Sequence, residues 1–162
     1  MLTLAATRFS DRTWDQNRAY RRKHNIQGCV YGSPRTIALA VLPQTPVFVV
    51  EMNNTARRVE GIGMVLNAPS PGRAWIYDEG RYNYYTYRGE FRLDRTELEA
   101  AHIPGHPAVK LLWFLEQIVF AKAVLPNGPS TLGLRLIMRG HGISRLPKWL
   151  YSWKPEVRVR RK

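Results

Sequence analysis

The hydrophobic positions of this chain fall into short strand-length runs separated by polar turns, and the clearest run lies within residues 46–67. Residues 47–50 are continuously apolar, the pattern of a strand buried on both faces. Asn53 and Asn54 mark a turn, because Asn tolerates left-handed backbone geometry. The return segment 59–66 places Glu60, Ile62, Met64 and Leu66 on one face, and Val59, Gly61, Gly63 and Val65 on the other. Glycine weakens a strand, and inside one it marks a bulge, a barrel corner or close approach by another backbone or a ligand. This hairpin predicts the centre of a small β-barrel.

The flanking pattern extends that prediction. Residues 11–24 suit a short basic helix or ordered loop, with Trp14, Arg18, Arg21 and Arg22 sharing part of its surface. Residues 27–32 and 36–42 read as strands, 68–72 as a loop, 75–77 as the start of a further element, and 81–87 as an aromatic strand. Asp94 with Glu97, or Thr96 with Glu99, forms a capping box for a short helix. Pro107 suits the first position of a helix reaching about Val124, apolar around much of its circumference and therefore packed on the barrel or on a partner. The fold class predicted is α+β: a barrel of five or six strands over residues 1–100, a packed helix and connection of the same domain over 101–138, and a basic aromatic tail over 139–162.

Charge sharpens this picture. The 162 residues carry a formal charge of +13, spread unevenly. Residues 1–35 hold seven Lys/Arg against two acids, and 133–162 hold nine against Glu156, whereas 36–100 are close to neutral. A neutral core with basic ends suits a polyanionic partner, with nucleic acid ahead of a membrane surface or an acidic protein. Cys29 is the single cysteine, which leaves no intramolecular disulfide or Cys-based zinc site and suits a reducing compartment. The start of the chain lacks the basic region of a secretory signal. The apolar segment 109–125 is interrupted by Lys110, Glu116, Gln117 and Lys122, so no membrane span is expected. The expected location is intracellular, in cytoplasm, nucleus or a virion.

Candidate chemistry is sparse on the catalytic side. His102 and His106 are four apart, but Pro104 and Gly105 separate them, and neither a cysteine set nor a second histidine cluster completes a metal site. Gly61 and Gly63 lack the third glycine of a dinucleotide fingerprint. No enzyme, metal or cofactor is expected. The tail interleaves Arg139, His141, Arg145, Lys148, Arg158, Arg160 and Arg161 with Trp149, Tyr151 and Trp153, a composition that neutralises phosphates and offers stacking faces. Packing is the favoured role for the tail tryptophans, and polyanion contact for the terminal basic run. Of Trp75, Tyr77, Tyr82, Tyr84, Tyr85 and Tyr87, most are expected in the core or at a rim, with one or two walling a base-sized pocket.

Trp14-Asp15 followed by Asn17, Arg18 and Tyr20, and then by the hairpin with Asn53-Asn54 and Gly61-x-Gly63, resembles the PUA-like superfamily of EVE and YTH domains over roughly residues 10–95. Met52-Asn53-Asn54, residues 60–63, 82–95 and 139–147 also resemble proteins of nucleocytoplasmic large DNA viruses. The resemblance implies an open or closed barrel that binds RNA or DNA, with a base read in an aromatic pocket near Trp14, Asn17, Asn53 and Asn54. The resulting expectation is a non-enzymatic nucleic-acid-binding protein, RNA favoured over DNA. Phosphate contacts would come from Arg18, Arg21, Arg22, Lys23, Arg139, Arg145, Lys148, Arg158, Arg160 and Arg161, with His141 beside them and Trp14 stacking on a base. The alternative is a structural component of a virion or ribonucleoprotein assembly, docked through residues 107–124.

Overall fold

The computed structural model describes residues 3–37, 41–103, 106–120 and 144–145. The chain runs β1 (Thr3–Phe9), α1 (Asp11–Lys23), β2 (Cys29–Ser33), β3 (Pro46–Asn53), β4 (Arg58–Leu66), β5 (Tyr85–Gly89), β6 (Phe91–Asp94), α2 (Arg95–Ala100), β7 (His102–Ile103), β8 (His106–Lys110), α3 (Leu111–Phe120) and β9 (Ser144–Arg145). Five strands form one mixed sheet in the order β6-β4-β3-β1-β9, with β1 and β3 parallel and the other neighbours antiparallel. β2 pairs with β5 and β7 with β8 in two separate ribbons.

The apolar run of β3 behaves as its pattern demands. Val47 and Val49 enter a core shared with Ala5, Phe9, Trp14, Tyr31 and Tyr87, beneath α1 and the β2–β5 ribbon. Val50 and Met52 enter the opposite core, with Leu98 of α2 and Leu112, Leu115 and Val119 of α3. The central sheet thus has its two faces covered by different layers. Residues spaced by three and four on α3 meet it, while Trp113 stays half exposed.

Strict alternation does not survive along β4. The register slips between Glu51 and Met52, so that Gly61 opposes Glu51 and Val59 opposes Met52, which leaves Glu60 as the extra residue. Val59 and Ile62 therefore contribute to the same core. This is the β-bulge that glycine in a strand foreshadows. Gly63 has a separate reason: a Cβ there would lie 2.2 Å from the Tyr31 hydroxyl and 2.6 Å from the Cys29 sulfur.

A closed barrel is not formed among the described residues. Among the described strands, β2 and β5 form a ladder with each other and with no strand of the main sheet, and their ribbon lies against it through Cys29, Tyr31 and Tyr87, all fully buried. The rings of Tyr31 and Tyr87 share a core with Val47 and Val49 of β3, so the ribbon covers a face of the sheet.

Other elements also depart from expectation. The described part of 36–42 is irregular, its backbone satisfied by side chains: Ile37 N–H donates to the Tyr87 hydroxyl at 3.0 Å, and the Asn67 amide donates to the Val41 carbonyl at 2.7 Å. Within 81–87 only the end is strand, because Gly80–Asn83 is a 3-10 turn. Buried Asn83 accepts from Ile76 and Tyr77 N–H groups at 3.0 Å each and returns a bond to the Tyr77 carbonyl at 2.7 Å. In the hairpin turn the left-handed residue is Arg57, at φ 50°, rather than either asparagine. Asn53 instead accepts from Ala56 N–H. Pro107 lies in β8, and the helix begins four residues later. Asp94 and Glu97 form the capping box of α2. Ser144 and Arg145, assigned from sequence to a tail, add a strand beside Ala6 and Ala5.

Gly63→Ala is expected to destabilise the protein by about 1–3 kcal/mol through overpacking, read from urea or thermal unfolding. A melting curve matching that of the unaltered chain would show that Tyr31 and Cys29 move aside freely.

Candidate functional site

Helix α1 begins at Ser10, whose hydroxyl accepts from Thr13 N–H while Thr13 Oγ1 accepts from Ser10 N–H at 2.9 Å. Asp11 opens the helix and Arg21, Arg22 and Lys23 close it, the arrangement that complements its dipole. The inward side carries Trp14 and Asn17, both buried. Trp14 packs on Phe9, with ring centroids 5.2 Å apart. The guanidinium carbons of Arg18, Arg21 and Arg92 lie 5.9, 5.6 and 5.7 Å from its ring centre. At 7 % exposure, with one ring neighbour and three cations already against it, Trp14 is an anchor of α1.

Asn17 is committed equally deeply. Its amide donates to the Val30 carbonyl at 2.7 Å and to the Tyr77 hydroxyl at 3.1 Å, and its oxygen accepts from Arg21 Nε at 3.1 Å. Asn53 donates to Asp11 and Glu60. Asn54 is exposed, and with its amide oxygen turned to Arg8 it accepts from Nε at 2.9 Å. These residues tie α1, the ribbon and the hairpin together.

Under Arg21 lies an ion pair that sequence reading did not assign. Glu51 is fully buried and receives Arg92 Nη2 at 2.7 Å and Nε at 3.0 and 3.1 Å, while the Tyr31 hydroxyl donates to it at 2.8 Å. Burial opposes the charge on Arg92, but the hydrogen bonds and charge of Glu51 outweigh it and hold its pKa above the usual value. Tyr31 is pushed well up by burial and by the neighbouring carboxylate, so it remains a donor. Gly61 leaves room for the pair, since a Cβ there would meet Glu51 Oε2 at 2.6 Å and Arg92 Nη2 at 2.7 Å. A carboxylate inside an otherwise apolar strand was the signal, because it requires a cation.

Arg21 has the opposite situation. It is half-buried, its hydrogen-bond partner is the Asn17 amide, and burial followed by the charge of Arg92 lowers its pKa. Its guanidinium borders a groove of about 390 Å³ lined by Arg18, Arg21, Arg22, Asn25, Ile26 and Gln27. Arg18 pairs with Asp15 at 2.5 Å on the helix surface, but among the described residues no carboxylate lines the groove itself. A second groove of about 360 Å³ includes Tyr20, Gly72, Arg73, Thr86 and Arg88, again with no carboxylate among the described residues. Arg88 donates to the Tyr20 hydroxyl at 3.2 Å. Both grooves border α1, and both present cations to solvent.

The sequence-selected residues therefore separate. Arg18, Arg21, Arg22 and Lys23 come together at the C-terminal half of α1. Arg145 pairs through its backbone with Ala5, and Arg139, His141, Lys148, Arg158, Arg160 and Arg161 lie outside the described residues. Arg73 and Arg88 were not singled out, because an isolated arginine beside a turn carries no signal. His102 and His106 lie on paired strands, and among the described residues no three His, Cys, Asp or Glu side chains gather into a metal site. No helix among the described residues is long and apolar enough to cross a membrane.

Comparison with protein-family models, with curated proteins and with solved structures finds no match to this chain.

Three outcomes follow from the buried cluster. Glu51→Gln leaves Arg92 charged and without its counterion, with an expected loss of about 3 kcal/mol; unfolding at the same denaturant concentration as the unaltered chain would contradict the role given to the pair. Cys29 is fully buried, and burial raises its thiol to about 11. The folded thiol keeps its proton up to that value while an unfolded one releases it near 9, so stability is expected to fall as pH rises between them. At about pH 8 the native thiol should react with Ellman's reagent far more slowly than after denaturant is added. Equal rates would mean that the ribbon opens readily.

Proposed function

We propose that the chain is a non-enzymatic nucleic-acid-binding protein that grips the phosphate backbone through the cationic face around α1, with RNA ahead of DNA as the polymer. The observation that carries this reading is Arg21: a half-buried guanidinium with an amide partner, close enough to Arg92 and to buried Glu51 to feel both charges, lining a groove to which the described residues contribute two further arginines and no acid. A cation so placed gains from an anion more than a fully hydrated one does, because the groove has already removed part of its water. The formal charge of +13 adds long-range attraction for a polyanion.

The PUA-like assignment enters the proposal through the residues of 14–20 and the hairpin. The open sheet supplies the layer on which α1 lies. Base reading at Trp14 does not fit its burial, so the proposed role of that residue is to hold the arginines in place.

Affinity for a labelled single-stranded oligonucleotide should fall with salt, at a log–log slope of about 0.7 per neutralised phosphate. Arg22→Gln, at an exposed position, should reduce that slope by about 0.7, one phosphate contact, while leaving the melting temperature unchanged. Binding that ignores both salt and the loss of Arg22 would sink the proposal. RNA and DNA of one sequence, measured side by side, test the preference between the polymers.

A further inference from the structure

Trp75 and Tyr84 are among the most exposed aromatic side chains of the described residues, at 64 % and 57 %. They share one neighbour. The guanidinium carbon of Arg73 lies 4.3 Å from the Trp75 ring centre and 4.9 Å from that of Tyr84, so a planar cation rests against both rings. Arg73 is held there by a 2.6 Å hydrogen bond from Nη2 to the Gly80 carbonyl.

The segment beneath this cluster is fixed. Ile76 and Tyr77, next in the chain to Trp75, are buried, and so is Asn83, which precedes Tyr84. The three bonds between Asn83 and the backbone of Ile76 and Tyr77 join the two sides of the loop. Two large rings are thereby presented to water by a rigid base, a preorganised arrangement that lowers the entropy cost of binding. Arg73 also lines the second groove, where Arg88 is the other cation. A flat hydrophobic ligand on the rings would thus adjoin an anion-attracting channel. The nearby acids Asp78 and Glu79 are paired with Arg12 and Arg81.

We infer that Trp75 and Tyr84 form a stacking platform for an unpaired nucleobase, with Arg73 and Arg88 neutralising the adjacent phosphates. This rests on the nucleic-acid reading above and adds selectivity for single strands to it. The planar guanidinium of Arg73 occupies the kind of surface on which a base would stack, and charge and flatness together select a nucleotide over a purely apolar ligand. In a duplex the base faces are already stacked on one another, so the platform has nothing to engage there.

The test uses the full chain with a fluorescein-labelled single-stranded RNA of unstructured sequence, and the same strand annealed to its complement. Trp75→Ala and Tyr84→Ala should each weaken single-strand binding by about ten-fold or more, with duplex binding and melting temperature unchanged. Trp75→Phe should keep most of the affinity, because it keeps a stacking face. Arg73→Gln should lower the salt slope on the single strand. Alanine variants that bind both ligands as the unaltered chain does, or that lose both equally, overturn the platform while leaving the phosphate-binding face standing. An unaltered chain that binds neither ligand overturns the functional reading and the platform with it.

Discussion

A carboxylate in the middle of a buried strand imposes a requirement that much of the described structure meets. Glu51 sits in β3 with apolar neighbours feeding both cores, and removing it from water is tolerable only with a cation and donors on its oxygens. Arg92 of β6 supplies the cation and Tyr31 of β2 a hydroxyl donor, which draws together the sheet edge, the sheet centre and the overlying ribbon. Gly61 and Gly63 clear the space, and the bulge at Glu60 lets Val59 and Ile62 serve one core despite their spacing. Trp14 then takes Arg92 against its ring, so the seating of α1 is coupled to the same pair.

The arginines divide into two kinds by what they touch. Arg92 is matched in charge and sealed. Arg95 bridges to Glu116 at 2.8 Å and to the Val59 carbonyl at 2.6 Å, fastening α2, α3 and the sheet. Arg21, Arg22, Arg73 and Arg88 line grooves to which the described residues contribute no acid. Net charge alone does not distinguish these roles, but placement does. The first kind has its charge matched inside the fold, and the second carries it at the surface.

Local patterns were legible where local physics decides the outcome. Residues 47–50 read as a doubly buried strand and stand that way; 11–24 read as a helix or an ordered loop and form the helix, and of the two caps offered, Asp94 with Glu97 and Thr96 with Glu99, the first is formed. Long-range satisfaction of polar groups was not legible. Asn83 turned an alternating aromatic stretch into a 3-10 turn by bonding a segment seven residues earlier. Trp14 looked available because its neighbours on the helix are basic, yet those arginines are what cover it. Glu51 and Arg92 stand 41 residues apart, a pairing no window of sequence reports. Exposure separates Trp75 and Tyr84 from buried Tyr77 and Tyr87, although all four belong to one aromatic stretch.

The position of β1 has a bearing on how the chain reaches this state. It is the first of the described strands, yet it lies inside the sheet, between β3 on one side and β9 on the other. Its parallel partner arrives only after α1 and β2 have been laid down, and Ala5 and Ala6 meet Arg145 and Ser144 from far along the chain. Contacts of such sequence separation close slowly, because the loop entropy is lost before the pairing is gained. During synthesis one edge of β1 therefore waits unpaired while the sheet strands β3, β4 and β6 are already available to assemble, and the strand that covers it, β9, is the last of the described ones to emerge.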